Sequence, residues 1–301
     1  MPALVPSTFS LPLRTQARLV LHYSQLVTRF RFSTTIMTPL QSSSSSSPPS
    51  TSQRPRRFAP LDPESVAGKE WPRLRGVVFD VDGTLCEPQN YMFAEMRTAL
   101  SIPPKADILT HIAKLPPSNR ADAENTVRAI EARAMASQKP SPGLAALMQY
   151  LTTRAVPKAI CTRNHAAPVA HLLSTFLPPS ERFAPIMTRD DFVGPQKPDP
   201  AGILHAAEVW GLRGEEGGAS GLIMVGDGLD DMTAGFRAGA ATVLLVNEFN
   251  AHLAGHQHTD LVVRRLDELV EVLERGFVGQ VARDDESPDT KAQAEEALER
   301  V

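Results

Sequence analysis

The chain has 301 residues, 42% of them hydrophobic, two cysteines and a formal net charge of −3. That is enough apolar material for one large core, and too few cysteines for a fold stapled by disulfides. The longest apolar runs, such as Val243–Val246, fall far short of the ~20 residues a membrane helix needs, so membrane insertion is excluded.

The charge is unevenly spread. Residues 1–60 hold seven arginines and no Lys, Asp or Glu, which leaves 24 basic and 34 acidic residues in 61–301, a body of about −10. A body so acidic argues against nucleic acid as the main partner.

The first segment, 1–36, reads as a mitochondrial transit peptide that directs the chain to the matrix. It is Arg-containing, acid-free and rich in hydroxyls. Arg14, Arg18, His22, Gln25 and Arg29 form a polar helical stripe beside Leu19, Tyr23, Leu26 and Phe30. A disordered basic arm has the same composition, and a start at Met37 would leave the protein cytoplasmic. Residues 37–72 include Ser42–Ser47 unbroken and then Pro48 and Pro49, and are expected to be a disordered linker.

From Arg73 the pattern alternates. Strands are predicted at Leu74–Phe79, Lys158–Cys161, Pro185–Met187, Leu222–Val225, Thr242–Val246 and Leu261–Val263. Helices are predicted at Gly143–Thr153, Ala166–Phe176, Ala201–Trp210, Asp230–Ala238 and Leu266–Arg275. Such alternation implies an α/β fold, a three-layer Rossmann-like core around a central parallel sheet. The core occupies 73–86 and 141–278. Residues 87–140 interrupt it with three predicted helices and no strand, a small all-helical cap. The charged, Pro-broken stretch 279–301 reads as a tail.

In open parallel sheets ligands bind beyond the carboxyl ends of the strands, so polar residues at those ends are the candidates. The first strand runs into Asp80-Val81-Asp82-Gly83-Thr84. Two carboxylates two residues apart are followed by a glycine that permits a sharp turn. The second strand ends in Thr162-Arg163-Asn164. Lys197 precedes a helix that Pro200 can open, and the fourth strand ends in Gly226-Asp227-Gly228-Leu229-Asp230-Asp231. His252, His256 and His258 have spacing that could bind a transition metal, but no predicted helix presents them, so a solvated loop is the expectation. Cys86 and Cys161 read as small buried residues beside the motifs rather than a redox pair.

Taken in order, Asp-x-Asp, Thr, Lys and Asp-x-x-x-Asp resemble the four motifs of the haloacid dehalogenase-superfamily phosphatases, over about 74–275. The resemblance implies strand order 5-4-1-2-3 and places the helical insert as a small cap. It implies that Asp80 is the nucleophile, Asp82 the general acid/base, Thr162 a phosphate-binding hydroxyl and Lys197 the charge-neutralising lysine. Asp227 and Asp231 match the acidic magnesium motif. Mg²⁺ would be held by Asp80, Asp227 and the Asp82 main-chain carbonyl, with Asp231 behind them or ordering a metal-bound water.

Arg163 and Asn164 follow Thr162 directly and are candidates for binding substrate with Thr162 and Lys197. The implied activity is hydrolysis of a small phosphorylated metabolite through an aspartyl-phosphate on Asp80. An acid at Asp82 sets dehalogenase chemistry aside. A phosphotransferase or mutase, and a catalytically idle scaffold on the same fold, remain as alternatives.

Overall fold

The computed structural model describes residues 55–279 apart from 104, 105, 107 and 213–217. The leader expected over 1–36, the first part of the linker over 37–54 and nearly all of the tail therefore lie outside the described residues. Chain order is β1 (Arg57–Phe58), β2 (Gly76–Phe79), α1 (Tyr91–Ala99), α2 (Ile108–Ala113), α3 (Pro117–Ala136) and α4 (Leu144–Thr153). It continues with β3 (Lys158–Cys161), α5 (Ala166–Phe176), β4 (Ile186–Met187), α6 (Ala201–Val209), β5 (Leu222–Gly226) and α7 (Leu229–Ala238). The last elements are β6 (Ala241–Leu245), β7 (Leu261–Val263), α8 (Glu268–Arg275) and β8 (Phe277–Val278).

Six strands form one parallel sheet in the order β4-β3-β2-β5-β6-β7. Counted from β2, this is the expected order 5-4-1-2-3, read from the far edge, with a sixth strand added beyond the fifth. The strands are short runs buried on both faces, as a sheet covered by helices on each side requires. Alternation along each strand divides the core into two layers. Val77 and Phe79 of β2, Ile223 and Val225 of β5 and Val243 of β6 pack with Leu147 and Leu151 of α4, Leu172 of α5 and Leu269 of α8. Val78 and Met224 point the other way, against Ile203 and Ala206 of α6 and Ala234 of α7.

The insert between β2 and α4 closes on an apolar cluster of its own, with Met96 of α1, Ile108 and Ile112 of α2 and Val127 and Ile130 of α3. Its two connectors run side by side. The Glu87 N–H donates to Lys139 O at 2.9 Å and the Ser141 N–H donates to Leu85 O at 3.0 Å. The helical insert thus leaves and re-enters the core through one double-stranded neck.

One expectation needs correction. The linker over 37–72 is not free of structure across its described part. β1 pairs antiparallel with β8, Phe58 is fully buried against Phe277, and the Leu61 N–H donates to Leu273 O at 2.8 Å. The physical reason is local. Phe58 and Leu61 supply the apolar side chains that the Ser/Pro-rich stretch lacks, and their burial offsets the cost of ordering this short piece of chain.

Candidate active site

The candidate residues gather at the carboxyl edge of the sheet because each β-strand ends there and its next residue still follows the ladder. The Asp80 N–H donates to Val225 O at 3.0 Å, carrying Asp80 one step past β2. The Thr162 N–H donates to Met187 O at 3.0 Å and does the same beyond β3. Asp227 follows β5, and Asp231 sits in the first turn of α7, where one carboxylate oxygen accepts the Gly228 N–H at 2.9 Å. A carboxylate there is favoured by the unpaired N–H groups of a helix start.

Gly83 makes the assembly possible. Its φ is +80°, and a Cβ on it would fall 2.0 Å from Asp227 Oδ2. Only a residue without a side chain lets the turn after Asp82 lie directly against the Asp227 carboxylate.

Lys197 closes the cluster from the loop before α6. Its Nζ lies 2.6 Å from Asp80 Oδ1 and 2.6 Å from Asp231 Oδ1, and all three residues are buried. The Lys197 ammonium is held well above its ordinary range: burial opposes the charge, but Asp231 and Asp80 outweigh it. Burial raises the Asp80 carboxyl, with Asp231 and Asp82 adding to the shift and Lys197 opposing it. Burial likewise pushes Asp227 up to about 7, with the negative charge of Asp231 next in weight. One oxygen each from Asp80, Asp227 and Asp231 lies within 4.8 Å of the others, a hard-oxygen set that can hold a cation.

The remaining candidates divide. Asp82 is half-buried, and its carboxylate accepts two hydrogen bonds, both from Asn164 Nδ2, at 3.1 and 2.9 Å. Its part in a metal shell would fall to its main-chain carbonyl. Burial raises its pKa while the Asn164 bonds oppose the rise. Thr162 is buried, and its Oγ1 accepts the Asn164 N–H at 3.1 Å. Arg163, a candidate for binding substrate, is exposed and paired with Asp230 at 2.6 Å. The next residue along the chain faces inward, so the arginine points to the rim.

Two asparagines complete the site that the sequence reading passed over. Asn250, buried after β6, donates from Nδ2 to Asp227 O at 2.7 Å and to Leu245 O at 3.0 Å. Asn247 donates from Nδ2 to Asp227 Oδ2 at 3.3 Å. Both follow a strand end, the same signal that found the other residues. The histidines differ from expectation too. His256 and His258 are half-buried rather than solvated, with His258 stacked on Phe236 at 4.1 Å between centroids and bonded to Thr233 at 3.0 Å. Among the described residues the aspartates form the one group of three or more acidic, His or Cys ligands close enough to share a metal.

Comparison with known proteins agrees with this geometry. A family model described as haloacid dehalogenase-like hydrolase matches residues 74–239. An uncharacterized hydrolase of Saccharomyces cerevisiae is 42% identical over 204 residues, covering 67% of this chain and 90% of that protein. A haloacid dehalogenase-like hydrolase domain-containing protein of Arabidopsis thaliana is 33% identical over 186 residues, 58% of this chain and 71% of the other.

Solved structures share the fold at lower identity. A predicted phosphoglycolate phosphatase from Haemophilus somnus superposes with a TM-score of 0.53 at 16% identity, covering 66% of this chain and 97% of that one. CbbY from Rhodobacter sphaeroides, solved with xylulose-(1,5)bisphosphate, gives 0.52 at 20% identity over 65% and 96%. With the motif residues assembled as described, the chain belongs to the haloacid dehalogenase-like hydrolase family.

Proposed function

We propose that the protein is a phosphatase that hydrolyses a small phosphorylated metabolite in two steps through Asp80. The observation that carries the reading is the unlike setting of two carboxylates two residues apart. Asp80 is buried on Lys197 at 2.6 Å, while Asp82 is held by Asn164. One is placed to attack and the other to move a proton, since unlike surroundings set unlike roles.

In the first step an Asp80 carboxylate oxygen attacks phosphorus in line. The P–O bond to the leaving group breaks, and Asp82 gives its proton to the departing alkoxide. In the second step Asp82 takes a proton from water, the water oxygen attacks phosphorus, and the acyl-phosphate bond breaks to return the Asp80 carboxylate and free phosphate. Splitting the reaction in this way suits phosphate monoesters, which are among the most inert of biological esters. Lys197 and the Thr162 hydroxyl are set to hold the non-bridging oxygens of the transferred group.

Asp80, Asp227 and the Asp82 main-chain carbonyl would hold Mg²⁺, a cation that prefers oxygen donors and few carboxylates. Both Asp231 oxygens are already taken by Lys197 and the Gly228 N–H, which suits a supporting role behind the metal. Bound there, Mg²⁺ supplies positive charge that offsets the repulsion between the Asp80 carboxylate and a phosphate dianion. Asn250 and Asn247 hold Asp227 in place by its main chain and side chain.

The test is phosphate release by the full chain from a panel of phosphorylated metabolites and an aryl phosphate, with Mg²⁺ and with chelator. Asp80→Asn is expected to lower turnover by about 1,000-fold or more, since it removes the nucleophile. Magnesium-independent release, or release that survives in Asp80→Asn, sinks the reading. Transfer of phosphate to a second metabolite without free phosphate would mark a phosphotransferase instead.

A further inference from the structure

Asn164 sits three residues beyond the end of β3, and five hydrogen bonds fix it. Its N–H donates to Thr162 Oγ1 at 3.1 Å, and its main-chain oxygen accepts the Arg189 N–H at 2.9 Å. Its side-chain Oδ1 accepts the His165 N–H at 2.7 Å, and its Nδ2 donates to both oxygens of Asp82, at 3.1 and 2.9 Å. The amide can face only one way. An Oδ1 that accepts a main-chain N–H obliges the NH₂ to point at Asp82, where a carboxylate can only accept. Among the described residues no other hydrogen bond reaches that carboxylate.

We infer that Asn164 is a positioning residue for the Asp82 carboxyl, and not the substrate-binding residue its place beside Thr162 suggests. The inference rests on the phosphatase reading. Both ends of the amide are already engaged, the oxygen by the His165 N–H and the NH₂ by Asp82. Asp82 lies in the turn after β2 with no second donor to fix its rotamer. A proton donor must lie within hydrogen-bond reach of the leaving oxygen, and a displacement of about 1 Å can cost about 100-fold in rate. Asn164 supplies the missing constraint. It takes its own rigidity from Thr162, His165 and Arg189, and so ties the proton-moving group to the ends of β3 and β4.

A leaving-group comparison separates positioning of an acid from binding of substrate. kcat/KM for the full chain is measured on an alkyl phosphate, whose alkoxide needs a proton to leave, and on p-nitrophenyl phosphate, whose phenolate hardly does. Asn164→Ala is expected to lose about 10- to 100-fold on the alkyl ester and less than about threefold on the aryl ester. Asp82→Asn should show the same selectivity, and the double variant should lose little beyond Asp82→Asn alone.

Asn164→Asp keeps an oxygen for the His165 N–H, removes the donor to Asp82 and sets a second carboxylate against it. It guards against a fold defect in the alanine variant and should lose at least as much on the alkyl ester. Equal losses on the two esters, or full additivity with Asp82→Asn, would overturn the inference and make Asn164 a binding residue. A wild-type chain that releases phosphate from neither ester overturns the phosphatase reading and this inference together. An active wild type with unselective variants overturns the inference alone.

Discussion

The two halves of the sheet's carboxyl edge are built on opposite terms. Beyond β2 and β5 lie Asp80, Asp231 and Lys197, all buried, and the half-buried Asp227, with three carboxylates gathered around one ammonium. Beyond β3 and β4 lie Arg163, Asn164, His165, Arg189 and Asp190, all half-buried or exposed, where each charge has water as an alternative partner. The buried half concentrates like charge in low dielectric and is strained until more positive charge arrives. The open half is nearly indifferent to single charges. Chemistry that has to stabilise developing charge belongs to the first, and recognition that varies between substrates belongs to the second.

The sharpest way to break this contrast is to remove the one cation of the buried half. Lys197→Met keeps the length and apolar stem of the side chain but leaves Asp80 and Asp231 facing each other unpaired. Without metal at neutral pH the variant is expected to lose about 3–5 kcal/mol of stability by urea unfolding, as when one partner of a buried ion pair is deleted. Adding Asp231→Asn should return part of that loss, because the repulsion then falls. A loss below about 1 kcal/mol would show that the cluster is hydrated and that the two halves do not differ in kind.

A second test uses pH. Asp227 is pushed up to about 7 and Asp80 is raised as well, each mainly by burial. A carboxyl whose pKa is higher folded than unfolded binds its proton more tightly in the fold. The stabilisation is therefore complete below the unfolded value of about 4 and is lost as pH rises through the folded value. The metal-free chain should lose stability through this pair between about pH 4 and 8, by at most about 4 kcal/mol for Asp227 alone. Asp227→Asn removes that titration. Measured with chelator, the stability of the variant relative to wild type should improve steadily across the window. A difference that stays flat with pH would mean that Asp227 is not desolvated.

Most of the buried half is legible in the sequence, and the reason is physical. A strand covered on both faces must be an unbroken apolar run, so the first polar residue after it marks the edge where ligands bind. Asp80, Thr162 and Asp227 are found this way, and each lies where its strand ends. Asn247 is the first polar residue after β6 but carries no ionisable group, and Asn250 lies three residues further on. Their work, holding Asp227 by amide hydrogen bonds, is visible only once the loop is folded. The β1–β8 pair escapes for a different reason: two-residue strands have no periodicity, and some 220 residues separate the partners. The direction of a side chain in a polar loop is the least legible of all. Arg163 and Asn164 are neighbours in one turn, yet one points to the rim and the other to Asp82.

That divergence sets the smallest effect and the cleanest discrimination between the two halves. Arg163 and Asp230 form an ion pair whose side chains are 57% and 37% exposed, so water and salt screen it. Arg163→Ala should change stability by less than about 1 kcal/mol and leave kcat and KM for p-nitrophenyl phosphate within about twofold of wild type. Its effect on a metabolite ester carrying a second anionic group is the informative measurement. If Arg163 only braces the α7 start, KM for that ester stays with the aryl value, and the arginine belongs to the rim. If KM for that ester alone rises tenfold or more, about 1.4 kcal/mol of binding has been lost, and Arg163 must leave Asp230 to meet the substrate. The open half would then be reorganised by its ligand, whereas the buried half would remain as folded.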